Sequence, residues 1–229
     1  MTAPEQLRGA RFAGIGYYLP EGLLTNADFE RMVDTSDEWI VSRTGIRERR
    51  IALPEQATSD LAIEAAKRAL ADAGITAQDL DIILIATATP DMPFPSTACL
   101  VQNRIGASNA AAFDITAACS GFIYGVTIAQ SLIVSGKARR VLVVGVETLS
   151  RILDYEDRAT CVLFGDGAGA VVMEACESGD GVLGTYIKSD GSYAELLYLP
   201  GGGSRRPLTE ERLRNREQYV KMKGDGLFK

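Results

Sequence analysis

A chain of 229 residues with 46% apolar composition is long enough for one large domain or two small ones, and rich enough in core formers to fold. Its formal charge of −6 argues against nonspecific nucleic-acid binding, which needs a basic face to displace counterions from phosphates. With no histidine, the chain lacks the side chain most used for proton transfer near neutral pH and for holding transition metals, so no metal centre is expected.

No stretch approaches the roughly 20 uninterrupted apolar residues that a membrane-spanning helix requires. The opening MTAPEQLRGARF lacks the apolar block of a signal peptide, so the expected location is the cytoplasm. Cys99, Cys119, Cys161 and Cys176 show neither CxxC spacing nor a secretory context and are expected to be reduced thiols.

In chain order, NADFERMVDTSDEWIVSRTGIRERR (26–50) mixes acidic, aromatic and basic residues and reads as short helices forming an excursion from a sheet. Within it Arg47, Arg49 and Arg50 are expected on a solvated face. TSDLAIEAAKRALADAG (58–74) predicts a helix opening on a Thr or Ser cap and closing on Gly. DIILIATA (81–88), AAAFDIT (110–116), RRVLVVGVE (139–147) and GAGAVVMEA (167–175) are short Val- and Ile-rich runs that predict buried strands. CSGFIYGVTIAQSLIVSG (119–136) is apolar nearly all round, which predicts a helix buried between layers with its first turn inside the protein. FGDGAGAVV lacks the Lys and Ser or Thr of a phosphate-binding loop and precedes a strand, so it reads as a tight turn with close backbone packing. Leu199–Glu217 predicts an exposed loop with a short solvated helix. The ending KGDGLFK, with no capping sequence or polar tail, carries the expectation that the chain continues. Strands alternating with helices predict an α/β layered fold.

AFDITAACSGFIYG leads from a strand through small residues into the apolar helix, placing Cys119 at or just before its first turn. Unpaired N–H groups and the helix dipole favour a thiolate there, and the thiolate is what attacks thioesters. Ala117, Ala118, Ser120 and Gly121 leave room for a carbonyl carbon, and the Cys119 N–H is a candidate oxyanion donor. The competing reading is that Cys119 is a small packed hydrophobe, as most buried cysteines are.

The blocks DITAACSGFIYG, TSDEWIVSRTGIRERR, PFPSTACLVQNRIG and FGDGAGAVV resemble, in order and spacing, β-ketoacyl-acyl carrier protein synthase III, a branch of the thiolase-fold condensing enzymes. The resemblance runs from about Phe12 to Lys229. It implies a thiolase-like α-β-α fold of which this chain is the N-terminal portion, with residues 1–175 as the nucleophile-bearing half and 176–229 as a connecting region and the start of a second half. It implies that Cys119 takes an acyl group, expected to be acetyl, from acyl-coenzyme A and condenses it with malonyl-acyl carrier protein as carbon dioxide is lost. Acyl-coenzyme A and the carrier protein are then substrates, no cofactor is expected, and the enzyme is expected to be a homodimer. By position, Trp39, Arg43 and Thr35 match residues at the coenzyme A adenine end, with Arg158 on the adenine's other side. Leu163, Phe164, Leu197, Met222 and Phe228 match tunnel positions, Lys229 a carrier-protein docking position, and Phe94 one that reaches across a dimer interface to the partner's acyl pocket. Ala159 departs from the family's frequent Gly.

The family's catalytic His and Asn, and the glycine-rich loop that completes the oxyanion site, lie in a second half that these residues do not contain. The chain alone is therefore expected to be incomplete for condensation, and to expose a sheet edge and a helix layer. The alternative is a noncatalytic acyl-coenzyme A or carrier-protein binding subunit that pairs with a chain supplying His and Asn; a related synthase using another starter is a third reading.

Overall fold

The computed structural model describes residues 9–177 and 179–227. Its elements begin with β1 (Gly9–Tyr18), β2 (Gly22–Thr25), α1 (Asn26–Met32), α2 (Asp37–Thr44), β3 (Glu48–Ile51), α3 (Thr58–Ala73), β4 (Ile82–Ala86), α4 (Thr97–Ile105) and β5 (Ala111–Ile115). They continue with α5 (Gly121–Val134), β6 (Arg140–Thr148), α6 (Arg158–Cys161), β7 (Asp166–Cys176), β8 (Leu197–Tyr198), α7 (Glu210–Arg214), β9 (Lys221–Met222) and α8 (Gly224–Leu227). The chain forms two compact units, each drawn from three segments. The first takes the described parts of Met1–Pro20, Leu53–Glu147 and Gly167–Ile187; the second takes those of Glu21–Ala52, Thr148–Asp166 and Lys188–Lys229.

The first unit is built on a five-stranded sheet in the order β1-β7-β6-β4-β5. β4 runs parallel to both β5 and β6, and β1 antiparallel to β7 with an irregularity between Phe12 and Gly14. Leu84, Val141, Val143, Val171 and Met173 pack with Val126, Ala129 and Ile133 of α5. The alternate residues Ile83, Ile85, Leu142, Val144 and Val172 are equally buried. Successive strand residues point to opposite faces, so both faces of the central strands are covered, which is why these runs lack polar alternation.

β1 was not legible as a strand because Gly14 and Gly16 interrupt it. Their purpose is proximity: a Cβ on Gly14 would stand 2.4 Å from the Ala69 carbonyl oxygen, and one on Gly16 2.3 Å from that of Ala65. α3 thus lies on β1 backbone to backbone, with Ala62, Ala65, Ala66 and Ala69 fully buried. Its cap differs from expectation. Ala57 occupies the cap position and Thr58 and Ser59 are already helical. The Ala57 N–H is met by the Asp60 carboxylate at 2.8 Å, while the Thr58 and Ser59 hydroxyls donate to Thr89 O and to Asp91 Oδ2. Gly74 closes the helix at φ +66°, as read.

The all-round apolarity of α5 predicts burial on every side, and here the structure differs. Gly121, Gly125, Val126, Ala129 and Ile133 are buried against the sheet, but Ile123 is 49% exposed and Val134 43%. Only one face of this helix is covered by described residues: in its first turn Gly121 is buried, Phe122 and Tyr124 are half-buried and Ile123 is open. Of the glycines in FGDGAGAVV, Gly165 precedes β7 while Gly167 and Gly169 lie within it, as the strand predicted over 167–175 requires.

Among the described residues no helix is long and apolar enough to cross a membrane.

Gly125 allows α5 to approach β6, since an added Cβ would sit 2.7 Å from Val143 Cγ1, a branched and immobile neighbour. Gly125→Val is expected to cost ~1–3 kcal/mol by overpacking, lowering the melting temperature by several degrees. Gly169→Ala, where an added methyl meets nothing within 4 Å, should change it little; equal losses in the two variants, measured by thermal melts, would contradict this account of the helix contact.

Candidate active site

β5 ends at Ile115, and the chain turns through a single 3-10 turn, Ala118–Ser120, into α5. Ala118 has φ +45°, a left-handed conformation that costs an L-residue with a Cβ of the order of 1–3 kcal/mol. Ser120 N–H donates to Ala117 O at 3.2 Å and Gly121 N–H to Ala118 O, so the turn is tied to itself. Gly121 seats it: a Cβ there would stand 2.9 Å from the Ala86 Cβ. Cys119, between the strained alanine and the helix, is exposed. The expected interior position of this turn is not seen with the described residues alone, which leave Cys119 exposed.

Sequence reasoning missed what holds the neighbouring strand ends. Glu147, near the end of β6, accepts from Ala88 N–H at 2.7 Å, Thr89 Oγ1 at 2.5 Å and Thr87 Oγ1 at 3.4 Å. Thr87 N–H in turn donates to Ile115 O at 3.2 Å, beside the turn that carries Cys119. Burial pushes the Glu147 carboxyl up, and the hydrogen bonds from Thr89, Ala88 and Thr87 offset only part of that. The lone Glu closing an apolar strand was the available signal. Phe94, also in this unit, is 84% exposed.

The second unit gathers several of the remaining candidates. Ser36 caps α2, its hydroxyl accepting from Trp39 N–H at 3.1 Å, and Gly45 ends the helix at φ +73°. One helical turn later, Arg43 places its guanidinium 5.0 Å from the Trp39 ring centroid. Arg158, the first residue of α6, lies 4.9 Å from the same ring and donates to Asp34 O at 2.6 Å. Trp39 and Leu163 both pack against the buried cluster of Phe29, Ile40, Cys161 and Val162. The Thr35 hydroxyl oxygen is buried with no hydrogen-bond partner, an uncommon and costly state. Leu197 of β8 stands opposite Met222 of β9, both half-buried, and Phe164 is half-buried as well. Phe228 and Lys229 lie outside the described residues.

Arg49 corrects the expectation of a solvated basic face. Strand alternation in β3 turns it inward, where it is 3% exposed. It donates to Val162 O and Asn26 Oδ1, and lies 4.7 Å from the Phe29 ring centroid. Asp166 is a second hub missed by sequence, accepting from Ala52 N–H, Ser150 N–H and Ser150 Oγ at 2.6–2.9 Å. Among the described residues no group of three or more His, Cys, Asp or Glu side chains is arranged to hold a metal ion.

The first unit is an α/β layer that presents a free cysteine on a strained turn at the start of a helix, and comparison with known proteins narrows this class. The family profile for 3-oxoacyl-[acyl-carrier-protein (ACP)] synthase III matches residues 113–191. The β-ketoacyl-[acyl-carrier-protein] synthase III of Caldanaerobacter subterraneus is 59% identical over 220 residues, covering 96% of this chain and 66% of that protein. That of Solibacter usitatus is 53% identical over 223 residues, covering 96% and 67%. The crystal structure of 3-oxoacyl-[acyl-carrier-protein] synthase III from Aquifex aeolicus superposes with a TM-score of 0.86 at 50% identity, over 96% of this chain and 66% of that one. The priming β-ketosynthase of the R1128 polyketide pathway superposes at 0.87 and 32% identity, over 100% and 67%. The chain belongs to the β-ketoacyl-[acyl-carrier-protein] synthase III family and has its thiolase-like α/β fold. It spans about two thirds of the length of these relatives.

The four thiols are expected to differ in reactivity. Burial, with Asp157 nearby, pushes Cys161 up to about 11, two units above an ordinary 9.0, leaving about 100-fold less thiolate at neutral pH. Peptide mapping after brief treatment with iodoacetamide should find Cys119 modified and Cys161 untouched until the protein is unfolded. Native labelling of Cys161 at the rate of Cys119 would contradict the burial described.

Proposed function

We propose that this chain is the nucleophile-bearing part of a β-ketoacyl-acyl carrier protein synthase III, with Cys119 as the acyl acceptor. The observation that carries this reading is the exposed Cys119 on the strained turn of DITAACSG, at the start of a helix that approaches the sheet through Gly121 and Gly125. The Cys119 sulfur attacks the carbonyl of an acyl-coenzyme A. As the new carbon–sulfur bond forms, the bond to coenzyme A breaks, and the cysteine proton ends on the released thiol. The acyl-cysteine is then attacked by the carbanion left when malonyl-carrier protein loses carbon dioxide, which expels Cys119 as its thiolate, to be reprotonated from solvent, and gives a 3-oxoacyl-carrier protein. The helix start and the Cys119 N–H favour the anions formed at the first step.

Trp39, Arg43 and Arg158 receive the adenine end of coenzyme A. An indole face and two planar cations suit a purine, and guanidinium groups suit phosphate. The unpartnered Thr35 hydroxyl is a natural hydrogen-bonding group for the same ligand. Phe164, Leu163, Leu197 and Met222 line the pantetheine arm, and Phe94 enters a partner's acyl pocket in a homodimer, where its ring selects a short primer such as acetyl. The His and Asn that drive decarboxylation in this family come from outside these residues, which contain no histidine. Acyl carrier protein is the partner, and the cytoplasm the place of action.

Radiolabelled acetyl-coenzyme A should leave label on the wild-type protein and none on Cys119→Ala, while the 229-residue chain alone gives no condensation with malonyl-carrier protein. A Phe94→Thr variant should accept longer primers. Absence of label on a folded wild-type protein would favour the noncatalytic binding subunit instead, and carrier-protein-dependent condensation by the isolated chain would overturn the assigned need for further residues.

A further inference from the structure

Resting on the assignment of Trp39 and Arg158 to the adenine end, we infer that Arg216 is a positioning residue that pins the turn carrying Arg158, and so sets the purine site. Arg216 belongs to the segment between α7 and β9. Its Nε donates to Asp154 Oδ2 at 2.7 Å, its Nη2 to Asp154 Oδ1, and its Nη1 to Glu156 Oε2 at 2.8 Å. One guanidinium therefore bridges two carboxylates through three N–H groups, which an ammonium has no planar fork to do.

Asp154 is only 4% exposed and organises the turn that follows it. Its Oδ1 accepts from Glu156 N–H at 2.9 Å, and its backbone oxygen accepts from Asp157 N–H at 2.9 Å. Asp157 then caps α6, accepting from Ala159 N–H at 3.0 Å, and the first residue of that helix is Arg158. The chain of contacts runs from Arg216 to the residue stacked on Trp39 in three steps. On its other side, Val220 N–H donates to Ile152 O at 2.9 Å, and β9 follows with Met222. The backbone at Arg216 has φ +58°, where Gly or Asn is the usual occupant. An arginine held in that conformation is explained by what its side chain does, not by the turn.

Trp39 is the only tryptophan, so its fluorescence reports the site directly. Wild-type protein titrated with coenzyme A should show a saturable fluorescence change. In Arg216→Gly, which suits the backbone but removes the fork, apparent affinity for coenzyme A should fall at least tenfold, with Arg216→Lys in between. The preference of Cys119 acylation for acyl-coenzyme A over acyl-pantetheine, which lacks the nucleotide, should fall by the same factor; general damage to the fold would lower both alike. If wild type responds but both variants that keep wild-type circular dichroism bind within twofold of it, the role of Arg216 is refuted while the adenine assignment stands. If Arg216→Gly does not fold, Arg216→Lys alone decides, and wild-type affinity in it refutes the role. If wild-type Trp39 does not respond to coenzyme A, and Trp39→Phe leaves the acyl-coenzyme A preference intact, the adenine assignment fails and takes this inference with it.

Discussion

The separation between α5 and the sheet is the constraint on which the reactive end of the first unit depends. At Gly121 and Gly125 the helix comes so near to Ala86 and Val143 that a single methyl on either glycine would overlap a neighbour. With the helix axis fixed there, the link from β5 has only the five residues 116–120 in which to turn, and the chain spends backbone strain at Ala118 to do it. Cys119 is held where it is by this geometry and not by a hydrogen bond to its own side chain. A glycine at 118 would relax the strain, yet it would also loosen the one residue that sets the cysteine's direction. Strain at a non-glycine position beside an exposed cysteine is the kind of outlier that points to a functional constraint.

The second unit solves a different problem. Its segments are short and its helices brief, and short helices are not stable on propensity alone. Side chains that satisfy backbone groups do much of the holding: Thr25 with Asp28 and Ser36 at helix starts, Arg49 on Val162 O, and Asp166 on Ala52 and Ser150, joined by the Arg216–Asp154 ion pair. Burial raises Asp154, but its hydrogen bonds with Arg216 and Glu156 and the nearby charges of Arg216 and Lys221 outweigh it, so the carboxyl stays below the usual carboxylate range. A group lowered in the folded state contributes stability above its unfolded value that is lost as pH falls through the folded one, so this contribution is intact at neutrality.

How much of this was legible depended on whether a residue's partner was close in sequence. Four of the strands, the α3 and α5 helices, the short helices of 26–50 and the solvated helix near 210 all follow from local pattern. β1 did not, because glycines that serve contact with α3 look like turn residues when the helix is out of view. Arg49 read as an ordinary surface charge, and Asp166 drew no reading of its own, because Val162 O, Asn26 and Ser150 are brought to them only by folding. The Cys119 position was legible from its small neighbours, whereas the left-handed Ala118 was not, since nothing in AAC distinguishes a strained alanine from an easy one. The grouping of 21–52 with 148–166 and 188–229 also escapes a reading that proceeds along the chain.

The misreading of α5 has a more general cause. Hydrophobicity around a helix records every surface the helix was selected to meet, whereas burial in a given chain records only the surfaces present. α5 meets the sheet through Gly121, Gly125, Val126, Ala129 and Ile133, with Phe122, Ile128 and Leu132 partly buried against the same core. Ile123 and Val134 are its open apolar positions, where polar residues would be better solvated. Phe12 is exposed to a comparable degree and lines a concavity with Ile123 and Val126, so the open apolar surface is continuous from β1 to α5. A continuous patch carries information that scattered exposed residues do not. The turn that carries Cys119 leads directly into this same helix, so the open apolar surface and the left-handed Ala118 lie close together along the chain.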